Sequence, residues 1–176
     1  EFKIEKKNLD LYSFNKGFNV VFAGNLGKAQ SLETILNSAQ KIKSYTNINF
    51  YLVGSGSQYN WLLNEIKLRK LNNVILTGKI ESKYMPFIYQ QSSVLLLTLK
   101  KSEILSLTVP AKLQTYMAAS KPIICAADGE VAQLINESKS GIICDSENSE
   151  KLSQAIITLY NTGPNKLNEM GLNAKK

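Results

Sequence analysis

Six short apolar runs, each followed by a stretch of helical periodicity, constrain this chain more than anything else in it. The runs lie at 18–23, 48–53, 74–77, 94–97, 123–126 and 141–144. Helical spacing follows over 30–43, where Leu32, Ile35, Leu36, Ala39 and Ile42 share a face, and over 59–69, with Leu62, Leu63 and Ile66 inward. It recurs over 83–91, after Pro110, and from Asp128 or Gly129 onward with Val131, Leu134 and Ile135 inward. Ser82 and Ser149 stand where helix N-caps are expected, and Gly163-Pro164 separates a helix over 150–161 from a polar one over 165–176. This alternation predicts an α/β fold with an open, parallel six-stranded sheet and helices on both faces. Val94-Leu95-Leu96-Leu97 carries no polar residue and reads as a strand covered on both sides. Right-handed crossovers put ligand sites of such sheets at the C-terminal strand ends, near the switch in strand order.

The turns after the strands are therefore the places to look for function. Gly24-Asn25-Leu26-Gly27-Lys28 follows the first strand; its glycines let backbone approach a ligand, and Lys28 is placed to meet a phosphate. A plain strand-to-helix turn explains the same residues equally well. Gly54-Ser55-Gly56-Ser57 and Gly78-Lys79-Ile80 close the second and third strands. None of these is a Walker A loop, and none carries the G-x-G-x-x-G dinucleotide pattern. The stretch 108–124 reads as a loop, a helix led by Pro110 and a buried strand, with Lys112, Gln114 and Thr115 in the first turns of the helix. A helix N-terminus leaving a sheet edge suits an anion and a sugar hydroxyl. Glu103, in the loop before it, is either a holder of a sugar hydroxyl or a surface carboxylate. Asp128-Gly129-Glu130 reads as helix capping, and Trp61, Tyr84, Phe87 and Tyr89 as packing.

Composition closes off several classes. The 176 residues hold no His and two Cys, which leaves no zinc site and no His-based triad. Cys125 and Cys144 each follow an Ile-Ile pair and read as small buried strand-end residues in a reducing compartment, rather than as a disulfide. No apolar run approaches the roughly 18 to 20 residues of a membrane helix. The net charge of +7 is compatible with an anionic partner or with a lysine-rich solvated surface, and no nucleic-acid-binding signature accompanies it. Residues 1–17 read as an interdomain linker, and 18–176 as one domain whose last helix is cut short. The chain does not begin with Met, so it is expected to be a fragment or a processed chain.

Five stretches, in order, resemble the C-terminal donor-binding domain of the GT-B retaining glycosyltransferases of group 1 type. They are Val-Val-Phe-Ala-Gly-Asn-Leu-Gly-Lys-Ala-Gln (20–30), Leu-Val-Gly-Ser-Gly (52–56), Asn-Val-Ile-Leu-Thr-Gly-Lys-Ile (73–80), Val-Pro-Ala-Lys-Leu-Gln-Thr-Tyr-Met-Ala-Ala-Ser-Lys-Pro-Ile-Ile (109–124) and Leu-Asn-Glu-Met-Gly-Leu-Asn-Ala-Lys-Lys (167–176). The Gly-Asn-x-Gly-Lys turn and the Val-Pro-x-Lys helix are most similar to the bacterial N-acetylfucosamine-transferase-like subgroup. The resemblance implies a Rossmann-like half of a GT-B fold that binds a nucleoside-diphosphate sugar, UDP-linked by expectation, as substrate and without cofactor or metal. It places the donor diphosphate on Gly24, Asn25, Gly27, Lys28, Pro110 and Lys112. Base and ribose fall to Gly54, Gly56, Gly78, Lys79, Ile80, Gln114 and Thr115, and the donor sugar to Glu103.

One departure is visible. The family's Glu-x7-Glu pair falls near Leu107 and on Thr115, with Glu103 four residues upstream, and Ser120 stands where a Gly is usual. The resemblance also implies a separate N-terminal acceptor-binding domain of roughly 150 residues. Transfer to a cell-surface polysaccharide or lipid-linked acceptor is implied as well, in the cytoplasm, with peripheral contact to an anionic membrane face and no nucleic acid. Two rivals stand beside the transferase: a sugar-nucleotide epimerase half, which lacks the His it would need, and a non-catalytic nucleotide-sugar-binding module or subunit.

Overall fold

Strand β4 (Val94–Thr98) is buried at every position because helices cover the sheet on both sides of it. The computed structural model describes residues 12–175. Around β4 stand β1 (Phe18–Ala23), β2 (Ile48–Val53), β3 (Val74–Gly78), β5 (Ile123–Ala126) and β6 (Gly141–Cys144). The order is β3-β2-β1-β4-β5-β6 and every neighbouring pair is parallel. Strand order reverses between β1 and β4, so a crevice opens at their C-terminal ends.

Strand alternation sorts the side chains into two cores. Val20, Phe22, Phe50, Leu52, Leu96 and Ile124 pack against α1 (Leu32–Lys41), α2 (Tyr59–Leu68) and a later helix at Ser149–Tyr160. Val21, Val53, Leu95, Leu97 and Ile123 pack against α3 (Met85–Gln91), α5 (Ala111–Ala118) and α6 (Glu130–Ser138). Between α3 and α5 lies a single turn, α4 (Glu103–Ser106). The chain closes with α7 (Ser149–Tyr160) and α8 (Pro164–Lys175). Cys125 belongs to one core and Cys144 to the other, so the two thiols face opposite sides of the sheet and both are free. Burial pushes each thiol up to about 12.

Several helix starts differ from the periodicity. The first helix begins at Leu32, because residues 28–30 form a 3-10 turn and Ser31 is left-handed. Ser82 opens a 3-10 turn over Ser82–Tyr84 instead of capping α3. Pro110 lies one residue before α5, extended, at the N-cap position. Asn148, not Ser149, caps α7: its side-chain oxygen accepts the Lys151 N–H at 2.9 Å. Asp128 accepts the Ser146 N–H at 3.3 Å and so ties two loops, while Gly129 holds the N-cap of α6. Gly129 has φ +80°, and a Cβ there would meet the Ser106 backbone.

Residues 1–11 of the stretch read as a linker fall outside the described residues. Residues 12–17 lie on the domain. Phe14 stacks on Tyr51 with ring centroids 3.7 Å apart, and its N–H donates to Gln91 Oε1 at 2.8 Å. Asn15 N–H donates to the Tyr51 hydroxyl at 2.7 Å, and Gln91 Nε2 donates to the Tyr12 carbonyl at 3.0 Å.

Candidate functional site

The C-terminal ends of β1, β2 and β3 are laced together by backbone. Gly24 N–H donates to Val53 O at 2.9 Å, Gly54 N–H to Gly78 O at 2.9 Å and Leu26 N–H to Ser55 O at 2.8 Å. Gly54 has φ +140°, and a Cβ there would drive into the Gly24 carbonyl, so two turns can touch only because this residue is Gly.

Tyr116 fastens α5 to this end of the sheet. Its hydroxyl accepts the Ala23 N–H at 2.8 Å and lies 3.1 Å from Ala23 O and 3.3 Å from Leu96 O, the carbonyls open to its proton. The residue is fully buried, and burial raises its phenol well above the ordinary range. One helical turn earlier, Lys112 rises beneath Gly24. Its Nζ lies 4.0 Å from the centroid of the Phe22 ring and donates to the Gln30 side-chain oxygen. A Cβ on Gly24 would stand 3.4 Å from Lys112 Nζ, so a glycine there keeps the way to the amine open. Burial lowers the Lys112 amine to about 7.

Above Lys112 lies a cavity of about 450 Å³. Gly24, Asn25, Gly54, Lys79, Ile80, Lys112 and Thr115, seven residues expected at the site, line it. So do Ser55, Met85 and Tyr89, which sequence reasoning did not select. Among the described residues no Asp or Glu lines it, while Lys79 and Lys112 do. An anion with a flat or polar remainder suits such a space. Among the described residues no cluster of His, Cys, Asp and Glu is arranged to hold a metal ion.

The remaining expected residues lie elsewhere. Gly27 and Lys28 line a second cavity of about 440 Å³, together with Trp61, Glu65, Arg69 and Lys100. The turn after β1 therefore divides its residues between two cavities. Gly56 and Gly78 line neither. Gly56 carries backbone against Leu26, and the Gly78 carbonyl accepts from Gly54. Pro110 also lines neither, and its carbonyl accepts the Leu113 N–H. Gln114 is exposed, and Glu103 is exposed at the start of α4, outside both cavities. Tyr84 is buried as expected for packing, whereas Tyr89 packs edge-on to Tyr116 and also faces the cavity. Phe22 and Gln30, which hold Lys112, both lie in the 20–30 stretch, but neither stands out there as a site residue.

Comparison with known proteins gives a consistent result. The family model described as glycosyl transferases group 1 matches residues 4–176. The probable glycosyltransferase WbjE of Pseudomonas aeruginosa is 28% identical over 141 residues, covering 77% of this chain and 34% of that protein. The chain thus spans about a third of the length of that curated relative. Among solved structures, Anabaena Alr3699/HepE in complex with UDP-glucose superposes with a TM-score of 0.77 at 18% identity, over 97% of this chain and 45% of that one. The C-terminal domain of a group 1 family glycosyl transferase (LpcC) from Francisella tularensis gives 0.78 at 13% identity, over 98% of this chain and 90% of that one. A glycosyltransferase from Rickettsia africae gives 0.80 at 16% identity, over 98% and 47%. These three share the fold.

Proposed function

Given that the chain belongs to the glycosyl transferases group 1 family, we propose that it is the donor-binding half of a glycosyltransferase, with the Gly24–Lys112 cavity as the nucleotide-sugar pocket. One observation carries the reading: the cavity at the C-terminal ends of β1, β2 and β3 has two lysines and, among the described residues, no carboxylate on its walls. Related folds held with UDP and with UDP-glucose support a UDP-linked donor. In this reading the diphosphate rests over Gly24 and Asn25 against Lys112, and the base lies by Lys79 and Ile80. Lys112 and the backbone N–H groups at the start of α5 stabilise charge on the departing diphosphate. No cofactor is required, and lysine takes the place a metal ion would hold, which makes the transfer metal-independent.

The finer features rest on the resemblance: the Gly-Asn-x-Gly-Lys turn and the Val-Pro-x-Lys helix carry the sugar type, and the ordered set of five stretches carries the rest. These features are retention at the anomeric carbon, an N-acetylfucosamine-type sugar, and an acceptor bound by a separate N-terminal domain. A polysaccharide or lipid-linked acceptor at the inner membrane face follows from the same resemblance, and the +7 charge is compatible with an anionic membrane surface. Among the described residues no helix is long and apolar enough to cross a membrane.

Titration calorimetry with UDP and UDP-sugars tests the pocket; absence of binding at millimolar ligand overturns it. A second reading, a nucleotide-sugar-binding subunit without catalysis, is favoured by Thr115 at the family's carboxylate position and by Glu103 outside the cavity. Sugar transfer by the full-length protein, abolished by Lys112→Met, decides for the enzyme.

A further inference from the structure

We propose that this pocket does not select the ribose 2′-hydroxyl, so that 2′-deoxynucleoside diphosphates, thymidine diphosphate among them, enter it about as readily as uridine diphosphate. The inference rests on the donor-pocket reading above and narrows its ligand class.

A site discriminates strongly against a missing hydroxyl when it holds a buried partner that the analogue leaves unpaired. The strongest such partner for a sugar diol is an ionised carboxylate, which makes charge-assisted bonds. Among the described residues the walls of this cavity carry none. That statement holds wherever in the cavity the ribose lies. The side-chain oxygens on the walls belong to Thr115, Ser55, Asn25 and Tyr89; the first three are exposed, and the Tyr89 phenol is half-buried, its ring edge-on to Tyr116. An exposed hydroxyl or amide turns to water when its sugar partner is missing, and little is lost. The charged groups on the walls, Lys79 and Lys112, attract the diphosphate, which ribo- and deoxyribonucleotides share.

A second observation concerns the base. Met85, Tyr89 and Thr115 also border an adjoining cavity of about 650 Å³, whose other walls include Pro86, Ala118 and Ala119. The nucleotide pocket therefore adjoins a largely apolar groove between α3 and α5, whose polar walls are Ser82, Gln90 and Thr115. Such a groove has room for the 5-methyl group of thymine and rewards its burial.

Titration calorimetry on the protein with UDP, dUDP and dTDP tests this. Both deoxynucleotides are expected to bind within about threefold of UDP. A loss beyond about tenfold for either, with UDP still bound, overturns this inference and leaves the donor pocket standing. Failure of UDP itself to bind overturns the pocket reading. Thr115→Glu, at an exposed position of α5, is expected to open a gap of about tenfold or more in favour of UDP over dUDP. A Thr115→Glu protein that still takes the two alike overturns the explanation.

Discussion

The Lys112 ammonium stands 4.0 Å from the centroid of the Phe22 ring, on the floor of the cavity beneath Gly24. The ring face and the Gln30 side-chain oxygen hold the amine in place, yet burial withholds the water that would keep it charged. With the free amine near 7, it is charged in the empty site only below about that pH. An arriving diphosphate raises it back toward the ordinary lysine range. Affinity for a nucleotide sugar, whose diphosphate carries no titrating proton there, should be flat below about pH 7 and fall above it, by at most about tenfold per pH unit. Lys112→Met should flatten the profile. Calorimetry from pH 6 to 9 reads both.

Stability responds to the same group with the opposite sign. The amine of the folded chain is depressed to about 7, while in the unfolded chain it keeps the ordinary lysine value, so above pH 7 the unfolded state binds more protons. Stability of the empty protein should therefore rise with pH from about 7 toward the lysine range. It should fall as pH drops through 7. Comparison of urea midpoints for the wild type and Lys112→Met across that window isolates the contribution; parallel curves would remove Lys112 from it.

Tyr116→Phe keeps the buried ring but removes the hydroxyl that accepts from Ala23 N–H and reaches the Ala23 and Leu96 carbonyls. At least one buried backbone group then loses its partner, at a cost of about 1–3 kcal/mol. The urea midpoint should fall with an unchanged slope. Because the lost bonds set α5 against β1, donor affinity should fall as well, through a less fixed Lys112.

Ser120 ends α5 at φ +54°, a left-handed conformation that costs a residue with a Cβ about 1–2 kcal/mol. Ser120→Gly should therefore stabilise the protein by about 1 kcal/mol after the larger backbone entropy of Gly is counted. For a chain of this size that is a rise of about 2–4 °C in Tm. A scanning calorimeter checks it, with donor affinity expected to stay the same.

The six strands were legible because each is a run of apolar residues bounded by turn formers, and burial on both faces demands such runs. Helix starts were less so. The turn α4 is too short for a period, and the capping of α7 by Asn148 rather than Ser149 depends on backbone geometry one residue away. At the site, the turns were legible and the partners were not. Lys112 meets Gln30 across 82 residues, and Tyr116 meets Ala23 across 93. Nothing in local spacing marks such pairs; only the sheet order brings them together. Phe14 on Tyr51 is the same case, an aromatic in an unpatterned stretch that finds its partner on β2.

Lys28 and Lys112 offer the sharpest separation of motif from geometry. By position in the turn after β1, Lys28 is the residue matched to the donor phosphate. It is exposed, however, and lines the cavity it shares with Arg69 and Lys100 as well as Glu65 and Glu147, where its charge is partly balanced. Lys112 lines the cavity that holds Gly24, Gly54 and Thr115, where, among the described residues, no carboxylate opposes it. An exposed cation across a turn acts through screened water and contributes little, whereas a partly buried one in contact contributes a charge-assisted bond. Lys112→Met should weaken UDP-sugar binding by tenfold or more, about 1.4 kcal/mol, while Lys28→Ala should cost less than about threefold. Met keeps an apolar stem over Phe22, so the fold is retained and circular dichroism should be unchanged. If Lys28→Ala proves the costlier change, the diphosphate lies on the Gly27–Lys28 side of the turn and the assignment of the two cavities reverses.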